Sequence, residues 1–448
     1  MPDRDSLAGA RVLVAGAGVT GRSAVTALTA LGAEVTVTDA DPARLDAVPG
    51  EIERVPGLTA PPAGTDLVVI SPGWRPDAPI ARAAEAAGVE VIGEVELAWR
   101  LSAALPDPPA WLAVTGTNGK TTTVGMLASI LGAAGLDAVA CGNVGLPVVD
   151  AVAAGHRVLA VELSSFQLHW QSSLRPAASV VLNIAEDHLD WHGSLDAYAE
   201  AKGRIYAGDI AVVNADDPWS VRLADCHPHR LPFTAAGPGG AGLGVDGGWL
   251  VHAGEKLCPV AEVRPPGPHN LTDALAASAL ARAHGVPADA VRAGLRAFRP
   301  GAHRSVPVGE LDRVRFVNDS KATNPHAAAA SLAAFDPVVW IAGGQLKGAS
   351  VDGLVAAVAG RLRGVVLLGV DAPVIRAALA RHAPQVPVRE VPSGDDAPMT
   401  SAVRAARDLA RPGDTVLLAP AAASLDMFGD YTRRGDAFAA AVSALGAR

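Results

Sequence analysis

The chain has 448 residues, half of them hydrophobic but only 4% aromatic, so its cores must be built mainly from Ala, Val and Leu. That length suggests about two to four domains and enough apolar surface to bury several cores. A formal charge of −9 excludes a global basic face for nucleic acid.

The first βαβ pattern spans residues 11–39. Arg11 to Ala15 is a strand, Gly16-Ala17-Gly18-Val19-Thr20-Gly21 a GxGxxG turn, and a helix through Leu31 leads to an alternating strand, Glu34 to Thr38, ending at Asp39. A glycine turn opening a helix holds a diphosphate, and an acid about 20 residues further on can bind ribose hydroxyls. Taken alone, this unit fits NAD or FAD as well as any other diphosphate. Leu67 to Ile70, opening into Ser71-Pro72-Gly73, and Val89 to Ile92 are further apolar strands. Residues 1–98 therefore read as a small Rossmann-like domain.

After the proline segment Pro106 to Pro109 comes the most informative stretch, Trp111 to Leu131, WLAVTGTNGKTTTVGMLASIL. Trp111 to Val114 is an apolar strand. From Thr121, apolar residues at Val124, Leu127, Ala128 and Leu131 mark one helix face. The glycines between them expose backbone N–H groups, which with the positive end of the helix dipole make an anion site. Lys120 can reach outer phosphates, and the Thr121 hydroxyl can meet a magnesium ion. A full Walker A loop needs glycine where Val114 stands; this loop is the tighter Gly116-Thr117-Asn118-Gly119-Lys120-Thr121, followed by Thr122.

Further strands follow. Arg157 to Val161 runs into Glu162-Leu163-Ser164-Ser165-Phe166-Gln167-Leu168, Ala178 to Leu182 into Asn183-Ile184-Ala185-Glu186-Asp187-His188-Leu189-Asp190, and Ile210 to Val213 into Asn214-Ala215-Asp216-Asp217. Ala235 to Gly248 is glycine-rich and reads as loop or hairpin. Beyond Gly301, Phe316-Val317 leads into NDSKATN, Val338 to Ala342 precedes Gly343-Gly344-Gln345-Leu346-Lys347, and Val365 to Leu368 and Thr415 to Leu418 are two more strands. Strands interleaved with helices predict mainly parallel sheets with function at their carboxyl ends. The expected fold is α/β in three domains: residues 1–98 Rossmann-like, 99–301 a central P-loop ATPase-like domain, and 302–448 a second Rossmann-like domain.

Pattern alone leaves several residues open. Glu162 could hold magnesium or be a solvated strand-end carboxylate. His188 could be one of a loop of solvated charges. Lys202 reads as a surface lysine on a helix from about Ser194 to Tyr206, and Lys347 as a helix-start lysine. Cys141, Cys226 and Cys258 sit at no metal or disulfide spacing and suggest a reducing compartment. No run of about 18 apolar residues could span a membrane, and the start, MPDRDSLAGA, has no signal-peptide pattern. A cytoplasmic enzyme, acting as a monomer, is the expectation.

GTNGKTT, ELSSFQL, NIAEDHLD, AKGRIY, HNLTDALAA, NDSKATN, GGQLKG and ASLDMF occur in one order along nearly the whole chain. In that order they resemble the Mur ligase family, and within it the members that add D-glutamate. The resemblance implies a ligase that uses ATP and Mg2+ to join D-glutamate to UDP-N-acetylmuramoyl-L-alanine through an acyl phosphate. It implies that Gly116, Thr117, Asn118, Gly119, Lys120, Thr121 and Thr122 hold ATP. Asn270 and Asp273 would face the adenine, with Arg304 and Asp319 as third-domain nucleotide contacts. Thr121, Glu162, His188 and Lys202, the last as a carbamate, would ligate magnesium. Lys321, Thr323, Lys347, Ser424 and Tyr431 would bind D-glutamate. The N-terminal glycine turn would hold UDP through Thr20, Asp39, Ser71 and Gly73, with Asn143 nearer the sugar and His188 also at the substrate. Lys120, Glu162, His188, Lys202 and Lys347 form the expected catalytic set. Three rivals are weaker. A ligase for another amino acid is opposed by Lys321, Thr323 and Lys347. A nicotinamide oxidoreductase leaves GTNGKTT unexplained, and a nucleotide switch makes the metal set superfluous.

Overall fold

The computed structural model describes residues 7–392 and 394–446, and among these the strands form three sheets. The first has five parallel strands in the order Glu53–Arg54, Glu34–Thr38, Arg11–Ala15, Leu67–Ile70 and Glu90–Gly93. Leu67–Ile70 is buried at every position, as a parallel strand covered on both faces requires. The glycine turn is tight against its helix. A Cβ on Gly21 would lie 1.8 Å from the Gly16 carbonyl oxygen, and one on Gly16 2.4 Å from Ser71 Oγ.

The second sheet has nine strands. Seven are parallel, in the order Ala138–Gly142, Val158–Glu162, Ala110–Thr115, Ala178–Val181, Ala211–Asn214, Arg230–Phe233 and Leu243–Asp246; Trp249–His252 and Glu255–Pro259 continue antiparallel. The glycine-rich segment thus ends in a hairpin, turned at Gly247 and Gly248 with φ of +52° and +80°. The third sheet runs Val306–Leu311, Val314–Asn318, Thr415–Leu418, Val338–Gly343, Leu362–Leu368 and Val388–Glu390, and only its first pair is antiparallel. The α/β class with mostly parallel sheets is as the sequence predicts.

The chain divides into two compact units. The first runs through Ile184 and takes in His188–Glu262 and Asp273–Ala297; the second holds Ala185–Asp187, Val263–Thr272 and the chain from Phe298 onward. The first two sheets therefore share a unit, and the helix Glu94–Ala103 runs through residue 98 to join them. Trp99 meets Trp111 edge-on, with ring centroids 5.4 Å apart. Glu96, fully buried, accepts the N–H groups of Ser172 and Ser173 at 2.9 and 3.0 Å and the Ser173 hydroxyl at 2.6 Å. Glu94 accepts the Val149 N–H at 2.8 Å. Among the described residues no helix is long and apolar enough to cross a membrane. All three cysteines are free.

Candidate active site

Three neighbouring parallel strands, Val158–Glu162, Ala110–Thr115 and Ala178–Val181, bring Glu162, Gly116 and Asn183 to one edge of the second sheet. The loop after Ala110–Thr115 turns at Gly119, whose φ is +85°. A Cβ there would lie 2.3 Å from Asp273 Oδ1, so glycine is required by backbone and by space. Asn183 pins the loop. Its carbonyl accepts the Thr117 N–H at 2.9 Å, its Oδ1 the Asn118 N–H at 2.9 Å, and its Nδ2 donates to the Asn118 carbonyl at 3.2 Å. Lys120 opens the helix Lys120–Ala133 and arches over the loop, donating to the carbonyls of Gly116 and Thr117 at 2.9 and 3.0 Å. Thr122 is half-buried beside it.

This helix buries Val124, Leu127 and Leu131 as the spacing predicts, but also Thr123, Met126 and Ile130, while Ala128 is only partly covered. The reason is a second layer. The helix Ala288–Ala297 packs on it so closely that a Cβ on Gly294 would lie 2.3 Å from Ile130 Cα, and Ser129 donates to the Gly294 carbonyl at 2.7 Å.

Glu162 is 3% exposed, which excludes the solvated strand-end reading. Its Oε2 accepts the Thr121 hydroxyl at 2.6 Å and its Oε1 the Asn143 amide at 2.9 Å. Two hard oxygens at a phosphate loop fit magnesium, which takes one or two protein ligands and completes its shell with phosphate and water. Among the described residues no three His, Cys, Asp or Glu side chains gather into a ready-made metal cluster.

Lys202 corrects the reading of a surface lysine. It is 2% exposed, on the helix Leu195–Gly203, whose buried face carries Tyr198, Ala199, Ala201 and Lys202. Its Nζ donates to the Gly116 carbonyl at 2.9 Å and the Thr115 hydroxyl at 3.3 Å, and lies 4.8 Å from the Tyr198 ring centroid. The Tyr198 and Thr117 hydroxyls are 3.1 Å apart. Two lysines therefore share one carbonyl under the loop.

His188 sits in the left-handed region, φ +53°, and its ring lies edge-on to Phe166 with centroids 4.8 Å apart. His192 stacks on the same Phe166 and meets the Ser165 hydroxyl at 2.9 Å; burial pushes it down to about 4, so it is neutral. Phe166 and His192 escaped the sequence reading, although ELSSFQL contains the first. On the helix Pro268–Ala283, Asp273 is 4% exposed beside Gly119, and Asn270 is buried, donating to the Pro266 carbonyl at 3.2 Å.

The N-terminal turn opens on a cavity of about 780 Å³ whose lining includes Gly16, Gly18, Thr20, Asp39, Ser71 and Gly73. Asp39 accepts the N–H groups of Ala17 and Asp41 at 2.8 and 3.0 Å. Burial alone would raise its pKa, but these donors and Arg44 prevail and hold it below the ordinary carboxylate range. Arg44, Trp74 and Arg75 also line the cavity and were not singled out from sequence. Asn143 lies outside this lining, at Glu162.

In the second unit, loops following three adjacent parallel strands carry Asp319, Lys321, Thr323, Lys347 and Ser424, while Arg304 precedes the strand Val306–Leu311 and Tyr431 begins the helix Tyr431–Gly446. Lys321 lies 4.2 Å from the Tyr431 ring centroid. Thr323 donates its N–H to the Lys321 carbonyl at 2.8 Å, and Ser424 is buried. Lys347 is exposed, with φ +51°, in the turn after Gly343-Gly344. It is a strained loop residue and does not start a helix, the next helix being Asp352–Val358. Burial raises the Asp319 pKa; Ser305 donates to it at 3.3 Å and the Arg304 charge partly offsets the rise.

Family models match three successive parts of the chain: Mur ligase MurD-like N-terminal domain over residues 10–93, Mur ligase middle domain over 114–281, and Mur ligase glutamate ligase domain over 303–422. A protein of Streptomyces avermitilis named UDP-N-acetylmuramoylalanine–D-glutamate ligase is 55% identical, covering 98% of this chain and 99% of its own. One of the same name from Streptomyces coelicolor is 54% identical with equal coverage. The fold is shared with MurC of Thermotoga maritima, TM-score 0.62 at 19% identity over 97% of this chain and 99% of that one. It is shared too with MurF of Acinetobacter baumannii, TM-score 0.63 at 18% identity over 99% and 93%. The short P-loop with its Glu162 partner, the buried Lys202 beneath it and the three matched domains together make this chain a member of the Mur ligase family.

Proposed function

We infer that the protein is an ATP-dependent carboxylate–amine ligase that joins D-glutamate to UDP-N-acetylmuramoyl-L-alanine in peptidoglycan precursor synthesis. One observation carries this reading over the oxidoreductase and the nucleotide switch. Two separate glycine turns, Gly16–Gly21 and Gly116–Gly119, follow parallel strands of two different sheets, each with its own acid, Asp39 or Glu162. Two such turns support a reading with two nucleotide sites in one chain, one for a UDP carrier and one for ATP. The identity of 55% to a ligase of that name agrees with it.

The substrate carboxylate attacks the γ-phosphorus of ATP, the bond to the β,γ-bridging oxygen breaks, and ADP leaves. The D-glutamate amine then attacks the acyl carbonyl, the C–N bond forms, and phosphate departs as the amine loses its proton. Both partners of the first step are anionic, so the site must supply positive charge. Lys120 and the start of its helix would face the phosphates. Thr121 and Glu162 would hold magnesium, which neutralises phosphate charge when bound. Lys202 as a carbamate would turn a buried cation into an anionic oxygen ligand, and His188 would join it at the metal and substrate. Asn270 and Asp273 would face adenine, with Arg304 and Asp319 at the nucleotide. Lys321, Thr323, Lys347, Ser424 and Tyr431 would bind the two carboxylates of D-glutamate. Domain boundaries near residues 98 and 301 belong to the same proposal.

The test is phosphate release from ATP with each substrate withheld in turn. Release should require both the UDP-substrate and D-glutamate, and L-glutamate should not replace the latter. Turnover with another amino acid instead would refute the reading.

A further inference from the structure

Arg434, in the first turn of the helix Tyr431–Gly446, is 1% exposed. Its donors go to neutral oxygens: Nε to Ser320 Oγ at 3.0 Å, Nη2 to the Ser320 carbonyl at 2.9 Å, and Nη1 to the carbonyls of Ala422 and Gly343 at 3.0 and 3.5 Å. Ser320 Oγ in turn donates to the Tyr431 carbonyl at 2.7 Å. Among the described residues no carboxylate lies within ion-pair distance of this guanidinium, and Asp426 attracts it only from further off. Burying a cation without a paired anion is costly, and burial pulls this one down to about 10. Helix packing alone would be served as well by an apolar side chain of similar volume.

The oxygens it holds are not scattered. Ser320 follows the strand Val314–Asn318 and precedes Lys321 and Thr323. Gly343 ends the strand Val338–Gly343 and leads to Lys347. Ala422 follows the strand Thr415–Leu418 and precedes Ser424, and Tyr431 begins Arg434's own helix. We propose that Arg434 is a positioning residue for the amino-acid substrate: its planar fork clamps the three strand-end loops and the helix start that carry Lys321, Thr323, Lys347, Ser424 and Tyr431. This rests on the reading of those residues as the D-glutamate site. The uncompensated charge adds a positive field behind that site, which an incoming dicarboxylate completes. Lysine could replace the charge but not the fork, since four oxygens on three separate segments need donors in fixed directions.

The full-length variants Arg434→Met, Arg434→Lys and Ser320→Ala test this, each with steady-state kinetics for all three substrates and a thermal melt. For Arg434→Met the KM for D-glutamate should rise roughly 10- to 100-fold, the scale expected when ligands are misplaced by about 1 Å. KM for ATP and for the UDP-substrate should stay within about threefold, because Arg434 bonds to none of the residues read as their contacts. Arg434→Lys should recover part of the loss, since it keeps the charge but not the fork. Should Arg434→Met fail to fold, Ser320→Ala decides alone, since it removes one hydroxyl from the same joint and should still raise the D-glutamate KM selectively. An unchanged D-glutamate KM in a folded variant, or equal losses for all three substrates, would overturn the proposal. If the unaltered protein shows no D-glutamate-dependent turnover at all, the site reading itself has failed and takes this inference with it.

Discussion

Glu94 is 3% exposed where the first two sheets join, with one oxygen on the Val149 N–H and the other, among the described residues, without a hydrogen-bond partner. Burial raises its pKa from the ordinary 4.5 to about 7, opposed by the N–H groups of Val149 and Val148 and reinforced by the Asp150 charge. Between these two values the folded protein keeps a proton that the unfolded chain has released. Stability from this group is therefore greatest below 4.5, declines as pH rises, and levels off above about 7. At about 1.4 kcal/mol per pH decade the decline amounts to roughly 3 kcal/mol. Glu94→Gln cannot ionise and keeps an acceptor for Val149. Urea unfolding from pH 5 to 8.5 at constant ionic strength should find the variant within about 1 kcal/mol of the unaltered protein at pH 5. At pH 8.5 the variant should be the more stable by up to about 3 kcal/mol. Parallel stability curves for the two proteins would mean that Glu94 does not hold its proton in the folded state.

Lys120→Ala should lose about 2.7–4 kcal/mol of transition-state stabilisation, the scale of one preorganised electrostatic donor, and a kcat within fivefold of the parent would contradict the phosphate-site assignment. Lys202→Ala should be nearly inactive yet partly restored by short carboxylic acids that replace the carbamate; full activity without them would count against the carbamate. Calorimetry should detect binding of UDP or the UDP-substrate, weakened roughly 10- to 100-fold by Asp39→Ala through loss of a charged acceptor; tight NADH binding without UDP binding would reverse that assignment.

What the sequence shows of this fold is what is local. The two glycine turns, the strands Arg11–Ala15, Leu67–Ile70 and Thr415–Leu418, and the lysine at the helix start are set by neighbouring residues, and pattern finds them. Burial of charge is different. Lys202 looks like any helical lysine until a distant strand covers it, and nothing in YTRRG separates the exposed Arg433 from the buried Arg434. Arg230–Phe233 carries no strand pattern of its own, with an arginine and a proline among its four residues, and pairing with Ala211–Asn214 supplies the order those residues do not. Arg44 and Trp74 escaped because only the third dimension brings them to the cavity that the glycine turn begins.

Amide formation through an acyl phosphate moves one carboxylate oxygen onto the released phosphate, and an isotope label follows that transfer. The UDP-substrate, labelled with oxygen-18 in its carboxylate, is turned over with ATP and D-glutamate, and the released phosphate is examined by mass spectrometry. One labelled oxygen per phosphate is expected, because the attacking carboxylate oxygen leaves with the phosphoryl group when the amine displaces it. Phosphate without label, formed alongside the amide, would contradict it.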